Sequence, residues 1–306
     1  MTRILLTGKN GQIGWELQRT LATLGEVIAL DRHGLDLADP DSIRRVVREH
    51  KPNLIVNAAA YTAVDKVEEE SDLAMAINGM APGILAEEAK RLSASIIHYS
   101  TDYVFDGSKN TPYTEEDAPN PLNVYGRTKL AGEQAIHAVG ATYLIFRTSW
   151  VYGTHGKNFL LTIQRLAKER DELRIVNDQI GAPTWSRMIA EATAQAVAQL
   201  SLPQGEGWSE TTTGIYHMTA ANSTSWHGFA SLIVETLKRQ GKGNSIRATA
   251  VVPIATEAYP LPAKRPKNSR LRTAKFTQQF GLIMPRWDAA VRLCMEELLA
   301  DGGHCP

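Results

Sequence analysis

The sequence predicts an α/β protein with a doubly wound parallel sheet, followed by a smaller, mixed α/β region. Two observations indicate this fold class. Short apolar runs alternate with helix-length segments in the first half of the 306-residue chain: RILLTG, EVIALD, NLIVNAAA, SIIHYST, TYLIFRTSW and LRIVND. These runs are continuously apolar, as in strands that helices cover on both faces. The alternation is typical of repeated βαβ units, so each run is predicted to be a strand.

The second half of the chain has a looser pattern. We predict helices around 186–200, 225–240 and 287–300, and short apolar runs occur at GIYHM and RATAVV. No tract rich in Gly, Ser or Pro separates the two halves. We therefore expect a first domain over 1–183 and a second, smaller domain over 184–306, with some exchange of chain between them.

Composition argues against several classes of function. Lys plus Arg and Asp plus Glu number 33 each, so no net charge attracts nucleic acid or an anionic membrane. Neither a secretory signal nor an apolar run long enough to span a bilayer is evident. Cys294 and Cys305 are the only cysteines, and neither has metal ligands near it in sequence. We expect a cytoplasmic protein in a reducing compartment, without structural zinc.

Three glycines follow the first predicted strand directly. Gly8, Gly11 and Gly14 have the spacing G-x-x-G-x-x-G in TGKNGQIGWEL, where an amphipathic helix is predicted to begin. Such a loop lets backbone N–H groups approach a pyrophosphate, and the N-terminus of the helix adds positive potential. A tight turn is the alternative interpretation. The position after the first strand of a βαβ series favours a dinucleotide site in a Rossmann-like domain.

The end of the second predicted strand gives two opposing signals about the cofactor. Asp31 is placed to accept hydrogen bonds from an adenosine ribose, which favours NADH. Arg32 and His33 follow it and Lys9 lies in the glycine loop, so cations are available for a 2′-phosphate, which favours NADPH. We expect NADPH or NADH to be usable, with NADPH slightly preferred. Further candidates for the adenine pocket and for close approach of the cofactor are Asp36, Leu37, Ala58, Ala59 and Ala60.

A tyrosine and a lysine lie about one helical turn apart in NVYGRTKLAG. Tyr125 and Lys129, at i and i+4, share a face of the predicted helix. An ammonium beside a phenol lowers the pKa of the phenol from about 10, which makes it a usable acid. A half-exposed pair without a catalytic role is the alternative. Ser100, Thr101, Asp102 and Tyr103 end the fourth predicted strand, at the carboxyl edge where open α/β sheets bind ligands.

Seven blocks of sequence together resemble the extended short-chain dehydrogenase/reductase family, and within it the dTDP-4-dehydrorhamnose reductases. These blocks span residue 4 to about 272 and include GKNGQIGWEL, VNAAAYTAVDKVE, HYSTDYVFDG, PLNVYGRTKLAGE, FRTSWVYG, NDQIGAPT and RPKNSRL. The resemblance implies that Tyr125 donates a proton to the carbonyl oxygen being reduced. It implies that Lys129 lowers the pKa of Tyr125 and binds the nicotinamide ribose, and that Thr101 holds the substrate oxygen. Many relatives have Ser where this chain has Thr101, and the hydroxyl is kept.

The same resemblance implies the binding residues and the roles of the two domains. The first domain would bind NAD(P)H and carry the catalytic residues, whereas the second would mainly bind the substrate. The implied cofactor contacts are Gly8, Gln12, Ile13, Asp31, Asp36, Leu37, Ala58, Ala60 and Tyr61. The implied substrate contacts, beside Thr101 and Tyr125, are Val64, Asp102, Tyr103 and Trp150. An aromatic residue of the core is the alternative interpretation of Trp150.

The activity implied by the resemblance is reduction of the C4 keto group of dTDP-4-dehydro-L-rhamnose by NADPH or NADH. This is the last step of dTDP-rhamnose synthesis, which supplies surface polysaccharide such as lipopolysaccharide O-antigen. A homodimer is expected, with a structural Mg²⁺ between subunits that Glu16 would help to hold. The alternatives are a sugar-nucleotide epimerase or dehydratase of the same fold, and a non-catalytic regulatory subunit.

Two polar segments have open interpretations. Asn177, Asp178 and Gln179, before Pro183, either shape the substrate entrance or form an ordinary polar loop. Further along, the basic segment KRPKNSRL either reaches a nucleotide diphosphate or is a solvated strip. Its candidate residues are Arg265, Asn268 and Arg270.

Overall fold

A computed structural model describes residues 2–201, 207–239 and 246–300 of the chain. The first half follows the predicted alternation of strands and helices. Its elements are β1 (Arg3–Thr7), α1 (Gln12–Thr20), β2 (Glu26–Leu30), α2 (Pro40–His50), β3 (Leu54–Asn57), α3 (Ser71–Ala74), a π-helical segment (Met75–Met80), α4 (Ala81–Arg91), β4 (Ser95–Thr101), α5 (Val124–Val139) and β5 (Tyr143–Thr148).

The second half has shorter strands and three long helices. Its elements are β6 (Val151–Tyr152), α6 (Phe159–Glu169), β7 (Glu172–Val176), β8 (Ile180–Gly181), β9 (Thr184–Trp185), α7 (Ser186–Ser201), β10 (Gly214–His217), β11 (Thr224–Ser225), α8 (Trp226–Arg239), β12 (Ala250–Ile254), α9 (Ala274–Phe280) and α10 (Trp287–Ala300). The three predicted helices correspond to α7, α8 and α10. Across the described ranges, no helix combines the length and apolar character that crossing a bilayer requires.

Six parallel strands form the central sheet, in the order β10-β5-β4-β3-β1-β2. Side chains alternate between the two faces of each strand. Ile4 and Leu6 of β1 belong to the core that includes side chains of α1, α7 and α9. Leu5 belongs to the opposite core, with side chains of α2, α4 and α5. Because helices cover both faces, the predicted doubly wound α/β fold is confirmed.

One predicted strand is wrong in its placement. We expected LRIVND to continue the central sheet, but β7 pairs in parallel with β12 in a separate two-stranded sheet. The sixth place is taken by β10, from GIYHM, which pairs with β5. Glu172 and Arg174 of β7 are exposed while Leu173 is buried, so this strand has one solvated face. A strand inside a doubly wound sheet has both faces covered.

A second core lies outside the central sheet and joins α6, β7, α8 and α10. Leu160, Phe229 and Val291 are fully buried in it. α6 and β7 precede residue 183, whereas α7 and β10 follow that residue and pack in the central sheet and its core. The chain therefore passes between the two cores on both sides of residue 183. Cys294 is free and buried in the second core, and Cys305 lies outside the described residues.

Candidate active site

Helix α5 carries Tyr125 and Lys129 near its N-terminus, as predicted. Asn123 caps the helix, because its side chain accepts a hydrogen bond from Gly126 N at 2.8 Å. A Cβ at Gly126 would overlap the carbonyl oxygen of Tyr103, so only glycine allows this packing. The helix therefore lies directly against the turn that follows β4.

The phenol of Tyr125 contacts residues at the end of β4. Thr101 forms a hydrogen bond with it. Burial and the nearby Asp102 carboxylate raise the pKa of Tyr125, while the hydrogen bond with Thr101 lowers it in part. The phenol therefore keeps its proton at neutral pH, which a proton donor requires.

The ammonium of Lys129, which we predicted to lower the pKa of Tyr125, is bound to β4. Lys129 is 1% exposed, and its Nζ lies 3.1 Å from His98 Nε2 and 2.6 Å from the carbonyl oxygen of Tyr99. Burial lowers the pKa of Lys129 to about 8, and the Glu133 carboxylate opposes this shift. The lysine therefore changes charge close to physiological pH.

Asp102 is a buried acid beside the phenol. Its Oδ1 accepts a hydrogen bond from Thr101 Oγ1 at 3.1 Å, and within the described part of the chain its Oδ2 has no hydrogen-bond partner. Burial raises the pKa of Asp102 to about 6, and the hydroxyls of Ser269 and Thr101 oppose this shift. A desolvated carboxyl with an unpaired oxygen is typical of functional sites.

The predicted glycine loop forms one wall of a cavity of about 660 Å³. Gly8 has φ +72°, and a Cβ there would lie 2.7 Å from Ala59 N. A Cβ at Gly14 would overlap the carbonyl oxygen of Gly8. The loop can therefore be this tight only with glycine at both positions. The predicted residues that line the cavity are Gly8, Gly11, Gln12, Ile13, Asp31, Arg32, Asp36, Leu37, Ala58, Ala59, Ala60, Tyr125 and Lys129.

Three predicted cofactor residues are not part of the cavity wall. Lys9 Nζ lies 3.4 Å from Asp31 and so acts through that carboxylate. Gly14 supports the loop from behind. The hydroxyl of Tyr61 donates a hydrogen bond to Glu70, so the Tyr61 side chain binds this carboxylate and does not line the cavity.

Part of the cavity wall was not predicted from the sequence. Ile77 comes from the π-helical segment, and Gly156 and Lys157 come from the loop after β6. Ser100 and Thr148, at the carboxyl ends of β4 and β5, also line the cavity. The rule that open α/β sheets bind ligands at the carboxyl ends of their strands indicated Ser100, and applied to β5 it would have indicated Thr148 as well. Nothing in the sequence indicates that Ile77, Gly156 and Lys157 line the cavity.

The lining residues fit a nicotinamide dinucleotide. The Oγ of Ser100 and the Oγ1 of Thr148 are buried and, among the residues that the structure describes, have no hydrogen-bond partner. Buried hydroxyls without partners are costly unless a ligand satisfies them. Together with the glycine loop, these hydroxyls give the cavity a polar floor and a backbone wall that suit a nicotinamide and a pyrophosphate.

Asp31 and its neighbours retain both features that the sequence indicated, one favouring NADH and one favouring NADPH. The carboxylate of Asp31 accepts hydrogen bonds from His33 N at 3.1 Å and Gly34 N at 3.3 Å. The hydrogen bond from Gly34 is the main cause that lowers the pKa of Asp31. The exposed Arg32 lies 3.6 Å from Asp36. An acceptor for a ribose and a cation for a phosphate are thus both present at this end of the cavity.

A second cavity of about 1010 Å³ lies beside the second core. Trp226 lines it and stacks on Trp150, with 3.6 Å between ring centroids, so Trp150 reaches this cavity only through Trp226. Gln179 and Arg265 also line it. The predicted substrate contacts that line neither cavity are Val64, Thr101, Asp102, Tyr103 and Trp150. Of these, Thr101, Asp102 and Tyr103 surround Tyr125.

The basic segment divides into one cavity residue and two structural residues. Arg265 lines the second cavity and pairs with Asp65 at 2.7 Å. Asn268 donates to the carbonyl oxygens of Lys109 and Thr111, at 2.6 and 2.9 Å. Arg270 donates to Asn268 Oδ1 and to a backbone carbonyl of the same loop. Asn268 and Arg270 therefore hold a loop rather than face a ligand.

The NDQIGAPT segment also makes mostly internal contacts. Asp178 Oδ1 accepts hydrogen bonds from Thr256 N and Oγ1, at 2.9 and 2.7 Å. Asn177 Oδ1 accepts one from Ser225 Oγ at 2.6 Å. Gln179 is thus the member of this triplet that faces the second cavity, and Pro183 follows without lining either cavity.

The predicted magnesium site is not supported. Glu16 is 3% exposed and pairs with Arg187 at 3.2 Å, and Arg187 also pairs with Glu297. A guanidinium therefore already neutralises this carboxylate. Over the described ranges, no group of three or more His, Cys, Asp or Glu side chains is arranged to hold a metal ion.

Fold and site together define a class of protein. A doubly wound sheet, a glycine loop after its first strand and a Y-x-x-x-K helix in the wall of the same cavity are the arrangement of NAD(P)H-dependent oxidoreductases of the Rossmann type. The comparisons with known proteins are more specific. The family model for the RmlD substrate binding domain matches residues 1–300, and the chain belongs to this family.

Relatives and solved structures agree with this assignment. The dTDP-4-dehydrorhamnose reductase of Burkholderia thailandensis is 49% identical over 298 residues, which cover 97% of this chain and 99% of that protein. The crystal structure of a dTDP-4-dehydrorhamnose reductase from Clostridium acetobutylicum matches with a TM-score of 0.88 at 38% identity, over 97% of this chain and 100% of that one. The enzyme from Bacillus anthracis, solved in complex with NADP, matches with a TM-score of 0.86 at 34% identity, over 97% and 100%.

Proposed function

We propose that the protein reduces dTDP-4-dehydro-L-rhamnose to dTDP-L-rhamnose with NADPH or NADH. The observation that carries this proposal is a protonated Tyr125, hydrogen-bonded to Thr101, in the wall of the dinucleotide cavity. The full-length likeness to dTDP-4-dehydrorhamnose reductases supports the choice of sugar. The product would supply surface polysaccharide.

The reaction needs an acid at the carbonyl oxygen. When bound, the reduced nicotinamide supplies a hydride to C4 of the keto sugar. Tyr125 donates its phenolic proton to the carbonyl oxygen as negative charge develops there. The hydroxyl of Thr101 donates to Asp102 Oδ1 in the structure, and it turns to donate a hydrogen bond to the same carbonyl oxygen when substrate is bound.

Lys129 and Asp102 set the charge around the acid. The Asp102 carboxylate raises the pKa of Tyr125 and so keeps the proton on the phenol until the carbonyl oxygen demands it. The Lys129 ammonium stabilises the phenolate that remains after transfer. An ammonium has three N–H donors, and two of them serve His98 and the carbonyl of Tyr99. The third is available to the cofactor ribose.

The second cavity suits the nucleotide part of the substrate. Cationic side chains that line it favour a diphosphate, and Trp226 offers a flat aromatic face for a base. These cationic residues are Arg170, Arg174, Lys264, Arg265 and Lys267. Apolar side chains of α6 and β7, such as Leu166 and Ile175, complete the wall. The combination supports a sugar nucleotide as the substrate class.

The assay follows the loss of NADPH absorbance with dTDP-4-dehydro-L-rhamnose generated in the same vessel. Tyr125→Phe should lower turnover by about 10²-fold to 10⁴-fold while the affinity for NADPH stays nearly unchanged. Tyr143→Phe, which removes a phenol that binds His137 in the last turn of α5, is the matched control. Full activity of Tyr125→Phe would refute the mechanism.

The same experiment separates the alternatives. An epimerase or dehydratase would retain NAD⁺ through purification and show no net oxidation of NADPH. A regulatory subunit would copurify with a partner enzyme and show no carbonyl reduction. Asp102 is followed by Tyr103 rather than by a second acid, and so the chain lacks the acid pair that a dehydratase is expected to use.

Three finer assignments complete the proposal. We infer that both cofactors are used and that NADPH is preferred, since Lys9 and Arg32 lie near Asp31. A cytoplasmic location and a homodimer are inferred from the resemblance. Sedimentation of the purified protein, with and without EDTA, measures the oligomeric state and its independence from Mg²⁺.

A further inference from the structure

A row of buried polar side chains runs beneath the cofactor cavity, from α5 to the glycine loop. Lys129 Nζ lies 3.1 Å from His98 Nε2, and His98 Nδ1 lies 3.0 Å from the Asn57 amide nitrogen. Asn57 Oδ1 accepts a hydrogen bond from Thr7 Oγ1 at 2.7 Å, and Thr7 Oγ1 accepts one from Ala59 N at 3.3 Å. Each of the four side chains is 1% exposed.

The sheet register creates this row. Thr7 of β1 is paired with Asn57 of β3, and Asn57 is paired with His98 of β4. Three neighbouring strands thus place polar side chains next to one another, where a doubly wound sheet usually has apolar ones. Polar groups this deeply buried persist where hydrogen bonds satisfy them.

A neutral imidazole links its two partners through its tautomer. Burial and the charge of Lys129 hold the pKa of His98 well below its usual range, so the ring is neutral and has one donor and one acceptor. When the Lys129 ammonium donates to Nε2, the proton must be on Nδ1. The Asn57 amide is then turned by 180° from the orientation given above, so that its oxygen accepts from Nδ1–H and its nitrogen donates to Thr7 Oγ1. When Lys129 is a neutral amine, Nε2–H donates to it, and the amide presents its nitrogen.

We propose that His98 is a positioning residue for Lys129, which it holds at the floor of the cofactor cavity through an unprotonated Nε2, while the Asn57 amide, turned by 180°, accepts from Nδ1–H through its oxygen. The kinetic part of this inference rests on the proposed function. With one N–H fixed by His98 and one by the carbonyl of Tyr99, the direction of the remaining N–H is fixed as well.

The other charged groups around Lys129 are bound to or act on other residues, so positioning of the ammonium falls to His98. Glu133 of α5 favours the ammonium, but both of its oxygens bind Arg147 of β5, at 2.9 and 2.6 Å. Asp102, at the end of β4, acts on Tyr125. The π-helical segment that packs against α5 contains no ionisable side chain. Tyr99 contributes its backbone carbonyl, since its hydroxyl is bound to Thr193.

Two substitutions of His98 test this role through pH profiles of kcat/KM. His98→Leu removes an acceptor from the ammonium, so the alkaline limb, expected near pH 8 for Lys129, should move down by about one pH unit. At pH 8, kcat/KM should fall about fivefold, and the fall should approach about tenfold well above pH 8. His98→Gln keeps an acceptor at this position and should restore the limb. His137→Gln, on the exposed side of α5, the helix that carries Lys129, is the control.

A merely structural role for His98 would lower activity equally at all pH values. An unchanged limb in His98→Leu, or a failure of His98→Gln to restore it, would overturn the proposal. Thermal melting of each variant shows whether the chain has folded.

Nitrogen-15 NMR of the imidazole in the cofactor-free protein tests the tautomer without any turnover. We expect the Nδ1–H form at pH 6.5, with conversion towards Nε2–H as Lys129 loses its proton around pH 8. An Nε2–H ring at every pH would refute the inference. If the wild-type protein does not reduce the keto sugar, the proposed function fails, whereas the NMR result stands by itself.

Discussion

The ring of Tyr103 packs edge-on against the ring of Tyr125, with 5.5 Å between centroids and 79° between planes. The phenol of Tyr103 is in turn linked by a hydrogen bond to Arg265, which pairs with Asp65. Arg265 lines the second cavity. The proposed acid is therefore braced by a residue that is anchored to the wall of the second cavity.

Removal of the Tyr103 ring should slow the reaction more than removal of its hydroxyl. Tyr103→Phe keeps the edge-on contact, so kcat should stay within about threefold of wild type. Tyr103→Ala frees the Tyr125 ring, and we expect kcat to fall about tenfold or more, because small misplacement of a catalytic group is costly. Steady-state kinetics of the two variants, at saturating NADPH, give the comparison. Equal rates would mean that the ring contact is unimportant.

Asp102→Asn should stabilise the protein in a pH-dependent manner. Burial raises the pKa of Asp102 to about 6 from its ordinary value of 3.8, so the folded state binds more protons than the unfolded state between these pH values. Stability from this group is present below pH 3.8 and is lost as pH rises through 6. The amide avoids this loss and should raise the free energy of unfolding by about 2–3 kcal/mol at pH 8.

Urea unfolding at several pH values measures this difference. The gain should shrink towards zero well below pH 3.8, where the wild-type carboxyl is protonated in both states. A gain of the same size at pH 4 and pH 8 would point to packing instead of charge. Since the carboxylate also raises the pKa of Tyr125, the variant should ionise its phenol at lower pH.

Two glycines of the cofactor loop should differ sharply in their tolerance of alanine. Gly14→Ala places a methyl group on the carbonyl oxygen of Gly8, so it should distort the loop and weaken NADPH binding by about 100-fold or more. At Gly11 the nearest atom would be 3.3 Å away, so Gly11→Ala should have a smaller effect. Fluorescence titration with NADPH compares them. Equal losses would show that the two positions are constrained in the same way.

Arg32 should set the preference for NADPH. It lines the cavity and is paired with Asp36 on an exposed surface, where the ion pair itself contributes little stability. Arg32→Ala should therefore raise KM for NADPH about tenfold and leave KM for NADH unchanged. Arg165→Ala removes a similar exposed arginine, paired with Glu169 on α6, and is the control. A parallel change for both cofactors would argue against a contact with the 2′-phosphate.

The sequence predicted the main sheet and the cofactor loop because their signals are local. Continuous apolar runs mark buried strands, and Gly8 and Gly14 are required by backbone contacts within the loop itself. The catalytic helix was equally readable, since Tyr125 and Lys129 follow directly from helical spacing. The family assignment and the fold were both confirmed.

Other features depend on contacts between distant segments and were missed. The binding of Lys129 to His98 and to a backbone carbonyl of β4 was not predicted. Glu16 was expected to bind Mg²⁺, but Arg187 lies 171 residues further along the chain and neutralises it. The exchange of β7 for β10 in the sheet likewise follows from packing that no short stretch of sequence reveals.

The position of β10 at the edge of the central sheet has a consequence for synthesis. All six residues of β5 are buried, and its outer edge is covered by a strand that ends at His217. Until that strand leaves the ribosome, β5 presents an apolar, unpaired edge of the kind that recruits other chains. A nascent chain is therefore most exposed to aggregation when it pauses shortly before this point. A chaperone would help most at this stage of synthesis.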